Sequence, residues 1–262
     1  MIDALRLEWV RLRTVRSTYW LIGLAIALPA VLTGLVGYFS RNDELEASIA
    51  VAFMTGGVAL FPLPLPAVLV GILGVLSIGH EYRHATIRPT LTALPARSHL
   101  VGAKLVVIVA TATMVGVVTL ALNYALLAVT RGAPEMDANA RAAITGYVVL
   151  LILWGIVGLG ATLLTRIMAL VLPLLFVLPL VIEPVLSVLT FIPALEDLRP
   201  AARFLPFTAG SQLAQSLSPN ELGTADPNAP QPLSRVENGA VFAAFTMLVL
   251  APAWLLFSRR DA

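Results

Sequence analysis

The sequence predicts an all-α membrane protein that crosses the bilayer six times. Of its 262 residues 58% are hydrophobic and only 12% are charged, and the mean hydropathy is +0.89. Ordinary soluble domains carry about 25% charged residues, and apolar runs longer than about 18 residues favour membrane spans. The predicted spans cover residues 19–39, 49–79, 100–129, 144–164, 167–192 and 241–257.

Residues 1–18 precede the six-span domain, which covers residues 19–262. Their sequence predicts an interfacial helix. Apolar side chains recur there at helical spacing: Ile2, Leu5, Trp9 and Leu12. Arg13 and Arg16 fall on or beside this stripe, and their long stems suit contact with lipid headgroups. Two interpretations stay open: a basic anchor that fixes topology, or a surface helix that bears on a cytoplasmic partner.

The second and third spans are longer than the roughly 20 residues that a straight span needs, so each must tilt, protrude or break. In the second, Pro62, Pro64 and Pro66 lack backbone donors and rule out regular helix. Irregular backbone at membrane depth must be buried in protein or line a cavity. The prolines therefore either line a pathway or mark a break at the outer end of the span.

Two polar residues inside later spans are further pathway candidates. Asn123 in the third span serves helix packing or contacts substrate. Glu183 is predicted within the outer-leaflet part of the fifth span, where charge is costly and usually functional; it alternatively caps the outer hairpin near water. Close helix approach is expected at three glycines of the fourth span, Gly155, Gly158 and Gly160.

The outer segment of residues 193–240 is rich in proline. Its first half keeps apolar character and predicts a re-entrant hairpin that dips into or covers the outer leaflet. Its second half has the composition of an exposed, turn-rich loop.

The distribution of charge predicts the orientation. Placing both termini in the cytoplasm puts eleven of the seventeen Lys and Arg residues inside with four acids, and leaves six cations with ten acids outside. Cytoplasmic segments carry the excess of Lys and Arg, so both termini are predicted to be cytoplasmic.

Several chemistries are excluded by composition. The chain has no cysteine, so disulfides and thiolate sites are ruled out. The only lysine, Lys104, is followed by Leu105 and follows no glycine-rich run, which excludes an ATP-binding P-loop. A net charge of +2 gives no indication of nucleic acid. No catalytic site and no enzymatic activity are predicted for this chain.

The loop of residues 80–99 is the densest polar segment between spans. It holds all three histidines, His80, His84 and His99, without the HExxH spacing of a zinc site, so no metal site is predicted. The histidines suit a protein contact better than a metal. Taken alone, the loop is either a docking surface or a solvated loop whose charges only obey topology.

One stretch of this loop carries a family resemblance. The run Glu81-Tyr82-Arg83-His84-Ala85-Thr86-Ile87-Arg88, followed by Thr90-Leu91, Pro95, Arg97 and Lys104, resembles the first cytoplasmic loop of type-2 ABC exporter permeases of bacteria. The six spans, the basic pre-helix and the long outer segment match as well. Ala85 stands where that family usually has glycine. If the glycine serves a positive φ, the turn here must differ.

The resemblance implies that the loop is a coupling helix seated on a separate ATP-binding subunit, which would hold the ATP and Mg. The docking residues implied are Glu81, Tyr82, Arg83, His84, Thr86, Ile87, Arg88 and Leu91. It further implies two ATP-binding subunits, a second permease copy or paralogue, membrane lipids around them, and ATP-driven export of an amphipathic, drug-like or lipid-like substrate across the cytoplasmic membrane. The alternative is a sensor or assembly component without bulk transport. A secondary transporter is disfavoured, because Glu183 is the only intramembrane acid predicted.

Overall fold

The computed structural model describes residues 2–40, 46–58, 60–61, 63–93, 97–218, 221 and 231–259, which form eleven α-helices and no strand. The helices are α1 (Ile2–Thr14), α2 (Arg16–Phe39), α3 (Ala47–Met54), α4 (Leu65–Arg83), α5 (Ile87–Ala93), α6 (Arg97–Arg131), α7 (Ala138–Thr165), α8 (Met168–Val177), α9 (Glu183–Leu189), α10 (Pro206–Gln212) and α11 (Arg235–Arg259). Within the described ranges, six helical segments are long and apolar enough to cross a membrane. The predicted all-α fold with six spans is confirmed.

Several helices are longer than the apolar runs predicted for their spans, because they continue into polar residues. Helix α7 begins at Ala138 because Asp137 caps it, its Oδ1 accepting the backbone N–H of Ala140 at 2.6 Å. At the other end Arg166 adopts φ +60 and closes the minimal turn into α8. Hydropathy alone fixes the apolar part of a span, and the caps fix where its helix begins and ends.

The second predicted span is broken into two helices. Helix α3 ends at Met54, and Gly56 and Gly57 follow with φ +73 and +74, a conformation that glycine adopts at little cost. Pro64 directly precedes α4 and Pro66 lies in its first turn, where a missing N–H breaks no helical bond. The membrane-crossing part is therefore α4 alone. Pro62 lies outside the described residues.

The third predicted span remains continuous. Helix α6 has 35 residues and at 1.5 Å per residue is about 52 Å long. This exceeds the hydrocarbon thickness of roughly 30 Å, so α6 projects beyond the apolar layer. Its first two turns follow the polar loop and carry Lys104.

Helix α7 lies at the centre of the bundle, against α4 on one side and α11 on another. Two glycines on each helix form the α4–α7 crossing: a Cβ on Gly74 would lie 2.1 Å from the carbonyl oxygen of Gly155, and one on Gly158 would lie 2.0 Å from that of Gly71. Gly160 faces the backbone of α11. The predicted use of these α7 glycines in close helix approach is confirmed.

The first half of the outer segment folds back onto the bundle. A 3₁₀ helix over Pro193–Phe204 leads into α10. Phe207 of α10 is buried, with its ring centroid 4.9 Å from that of Trp154 and 5.7 Å from that of Phe242. Burial of these aromatic rings anchors the segment over α7 and α11.

The fifth span changes its helical spacing in the middle. Helices α8 and α9 are joined by a π-helical turn over Leu178–Ile182. Pro179 lies within this turn and Pro184 follows it, and neither donates the N–H that a regular helix needs. The departure from α spacing is thus local, and the span runs on to Leu189.

Candidate functional site

The polar loop folds into a turn, the short helix α5 and the start of α6. Helix α4 ends in a Schellman motif: the Thr86 N–H donates to the Glu81 carbonyl at 3.0 Å and the Ala85 N–H to the Tyr82 carbonyl at 3.4 Å. Ala85, at the position that usually needs glycine, has φ +53. The expectation that the turn must differ is wrong, because alanine here adopts the left-handed conformation itself.

The strain at Ala85 gives a first prediction. Since an L-residue other than glycine pays for left-handed backbone, Ala85→Gly is expected to stabilise the protein by about 0.5–1 kcal/mol. Ala142→Gly, at an exposed helical position of α7, is the matched control and should destabilise by about 1 kcal/mol. Thermal unfolding of both purified variants measures this. A loss of stability in Ala85→Gly would contradict the assignment of the strain.

The surface of the loop is formed by residues from the turn. Arg83, His84 and Thr86 are exposed, and the His84 ring lies edge-on to that of His80 at 6.2 Å. Tyr82 and Ile87 are half-buried and pack against the apolar group of the inner bundle that contains Ile78, Leu100 and Phe257. Arg88 and Leu91 lie within α5. The exposed charged residues of the turn are thus held in place by neighbouring apolar side chains that pack against the bundle.

Glu81 differs from the sequence-based expectation. Its side chain is buried, with 1% exposed, and its carboxylate pairs with Lys104 and Arg11 of the same chain. The family resemblance implied that Glu81 is a docking residue for a partner subunit. The correction is that Glu81 faces the interior, because a cation is available there from α6.

Three charged residues surround that carboxylate, and with Glu81 they form what we term the ion cluster: Glu8, Arg11, Glu81 and Lys104. Lys104 is fully buried, and its Nζ donates to Glu8 Oε1 at 2.7 Å, Glu81 Oε1 at 2.6 Å and the Ser77 carbonyl at 2.7 Å. An ammonium has three donors, so all of them are used. Arg11 donates to Glu81 and to the Ser77 carbonyl.

The ion cluster joins three helices at the base of the loop. Glu8 and Arg11 belong to α1, Glu81 to the last turn of α4 and Lys104 to the inner end of α6. Two acids balance two cations, which is the condition for burying charge at tolerable cost. Both ends of the loop are therefore fixed to each other and to α1.

Three of the pathway candidates, Asn123, Pro64 and Pro66, lie at the break in the second span. Asn123 is buried, and its Nδ2 donates to the carbonyls of Phe53 at 3.3 Å and Met54 at 3.0 Å, where α3 ends. Pro64 and Pro66 are buried at the start of α4. These contacts serve the break in the second span.

Glu183 caps the outer segment, which is the second of the two roles weighed for it. Its carboxylate accepts the Phe207 N–H at 2.7 Å, the Thr208 N–H at 2.6 Å and the Thr208 hydroxyl at 2.7 Å. These N–H groups open α10 and have no partner within their own helix. Glu183 therefore binds the fifth span to the start of α10.

Sequence reasoning did not identify Glu8, Arg11 and Lys104 as parts of one site. A signal was present: Glu8 lies between arginines on a helix otherwise biased to cations and apolar residues, and Lys104 is the only lysine of the chain. Pairing them requires α1 to fold back against α4 and α6. Separations of 96 and 23 residues from Lys104 to its two acids leave no local pattern.

Comparison with known proteins gives the family. No curated protein matches the chain. A family model described as ABC-2 family transporter protein matches residues 4–191, a range that contains most of α1, the ion cluster, the polar loop and the first five membrane-crossing segments. The matched range covers more than half of the chain, and the chain belongs to the ABC-2 family of transporter proteins.

Proposed function

We propose that this chain is the membrane subunit of an ATP-driven exporter whose energy comes from a separate ATP-binding subunit docked on the α4–α5 turn. ABC-2 permeases associate with an ABC ATP-binding subunit. The observation that carries the proposal is the exposed turn of Arg83, His84 and Thr86 rooted in a buried ion cluster. A loop whose charges only set the topology would not need a buried ion cluster at its base.

The ion cluster supports a way for force to pass from the loop to the spans. When the partner displaces the turn, Glu81 and Lys104 move together because they share a hydrogen bond of 2.6 Å. Glu8 and Arg11 carry the same displacement to α1. Helices α4 and α6 thereby tilt as one body with α1, and α4 passes its motion to α7 through the glycine crossing.

In this proposal the main role of Tyr82 and Ile87 is to pack against the helix bundle and so hold α5 at a fixed angle to it. Charge pairs with the partner would come from Arg83 on the turn and Arg88 on α5. The other docking residues proposed are His84, Thr86 and Leu91. Such rim charges set orientation and register more than affinity.

Two copies of the permease, or one copy and a paralogue, would enclose the pathway between them, with two ATP-binding subunits below. ATP and Mg would be bound by those subunits. The substrate class that fits an apolar bundle is an amphipathic, drug-like or lipid-like molecule. Asn123 and Glu183 would then affect the pathway only through α3 and α10, the segments that they hold.

The absence of cysteine allows a direct test. A single cysteine at His84 is expected to cross-link, through a short maleimide photoprobe in native membranes, to a protein that binds nucleotide. Ala138→Cys, exposed at the first residue of α7 and outside the predicted span, is the matched control and should give no such adduct. Mass spectrometry of the adduct identifies the partner.

Labelling from each side of the membrane completes this test. A membrane-impermeant maleimide should reach Ala138→Cys in whole cells, and should reach His84→Cys only after the cells are opened. If His84→Cys reacts from outside, the proposed orientation fails. If it is reached only from inside but gives no adduct with a nucleotide-binding protein, the docking proposal fails.

A further inference from the structure

An apolar groove lies between α1 and α6, separate from the docking turn. One wall is formed by Leu5, Trp9 and Leu12 of α1, and the other by Val106, Ala110 and Met114 of α6. Its volume is about 280 Å³. Helix α6 is one of the segments long and apolar enough to cross a membrane, so in a bilayer the exposed side of this groove would meet lipid.

Cations stand along the open side of this groove. Arg6 and Arg13 are exposed on α1, three residues before and four residues after Trp9, and therefore on the same helix face as its indole. The Arg13 guanidinium lies 5.6 Å from the Trp9 ring centroid. Among the described residues neither arginine forms an ion pair with an acid.

We propose that this groove binds one anionic phospholipid, with an acyl chain between the two apolar walls and the phosphate at Arg6 and Arg13. The apolar walls exclude a polar ligand along their length, and two cations without acid partners complement a single phosphate. Tryptophan at the edge matches its usual place at the boundary between headgroups and hydrocarbon. Lipid is present at this surface in the membrane, so the site needs no soluble ligand.

The bound lipid would fix the position of α1. Leu12 lines both this groove and the cavity next to the ion cluster, and Glu8 lies within one turn of both Leu5 and Leu12. An acyl chain against Leu5 and Leu12 therefore presses on the helix that holds Glu8 beside Lys104. Lipid binding itself does not depend on the proposed export function, and only an effect of lipid on transport would rest on it.

Native mass spectrometry of the purified protein tests the site. The protein is offered equal amounts of phosphatidylglycerol and phosphatidylcholine, and the lipid retained is counted. The wild type is expected to retain about tenfold more phosphatidylglycerol than phosphatidylcholine. Arg6→Gln with Arg13→Gln should remove the preference while leaving phosphatidylcholine bound. Equal retention of both lipids by the wild type would overturn the proposal.

A variant that fills the groove distinguishes a specific lipid-binding site from general contact with lipid. Ala110→Phe should abolish retention of phosphatidylglycerol, whereas Val117→Phe, also exposed on α6 but outside the groove, should not. Ala110→Leu provides a milder variant if the phenylalanine disturbs folding. Inorganic phosphate should not displace the lipid; displacement by phosphate alone, or unchanged retention in both Ala110 variants, would rule out the groove as the site.

Discussion

Replacing Lys104 by methionine is expected to destabilise the protein by about 3–5 kcal/mol, the usual cost of removing one partner from a buried ion pair. Methionine fills nearly the same volume, so the loss is electrostatic. Glu8 and Glu81 would be left with only the half-buried Arg11 as counter-charge. The Ser77 carbonyl would also lose one of its donors. Unfolding of the purified protein in detergent, followed by heat or denaturant, measures the change.

A second substitution distinguishes charge balance from damaged packing. Lys104→Met combined with Glu8→Gln leaves Glu81 and Arg11 as a neutral pair, and replacing a whole buried pair is often close to neutral in stability. The double variant should therefore recover much of the lost stability. If Glu8→Gln adds to the loss instead, the balance of two acids and two cations does not govern stability here.

The same variants test whether the ion cluster transmits motion from the loop as well as stabilising the fold. In the proposed function Glu8 and Lys104 transmit motion of the loop to α1. The neutral double variant should therefore fold, while ATP hydrolysis by the ATP-binding subunits assembled with it responds less to substrate. A variant that regains both stability and normal coupling would show that the ion cluster only supports the fold.

The membrane-spanning part of the fold could be predicted from sequence because it depends on local quantities. The length of each apolar run, the charges that flank it and the turn at Thr165 and Arg166 are all properties of neighbouring residues. The break in the second span was one of three alternatives, and the prolines indicated its place. The family resemblance, which rested on the loop residues together with the six spans, is confirmed by the family model over residues 4–191.

The candidate site was less predictable because it depends on contacts between distant segments. Residue type placed Glu81 on a docking surface, yet its burial is decided by Lys104 and α1. The choice between the two roles of Glu183 likewise needed the position of Phe207 and Thr208, which are distant in sequence. At Ala85 the helix-end hydrogen bonds outweigh the local preference for glycine.

The α4–α7 crossing leads to the second large effect. Gly158→Ala is expected to destabilise the protein by roughly 1–3 kcal/mol or more, as overpacking of a tight core does. The added Cβ would lie 2.0 Å from the Gly71 carbonyl oxygen and 3.1 Å from the Val75 backbone N. Backbone atoms cannot rotate away as a side chain can, so α4 and α7 must move apart. Thermal unfolding of the variant measures the cost.

Gly23→Ala is the matched control, because a Cβ at Gly23 in α2 would meet no atom within 4 Å. Both changes add one methyl group to a helical glycine, and alanine favours helix over glycine at each position. Gly23→Ala should therefore leave stability unchanged or raise it. Equal stability of the two variants would show that α4 and α7 are not in backbone contact. Their joint motion, on which transmission from the docking turn to α7 depends, would then lack a structural basis.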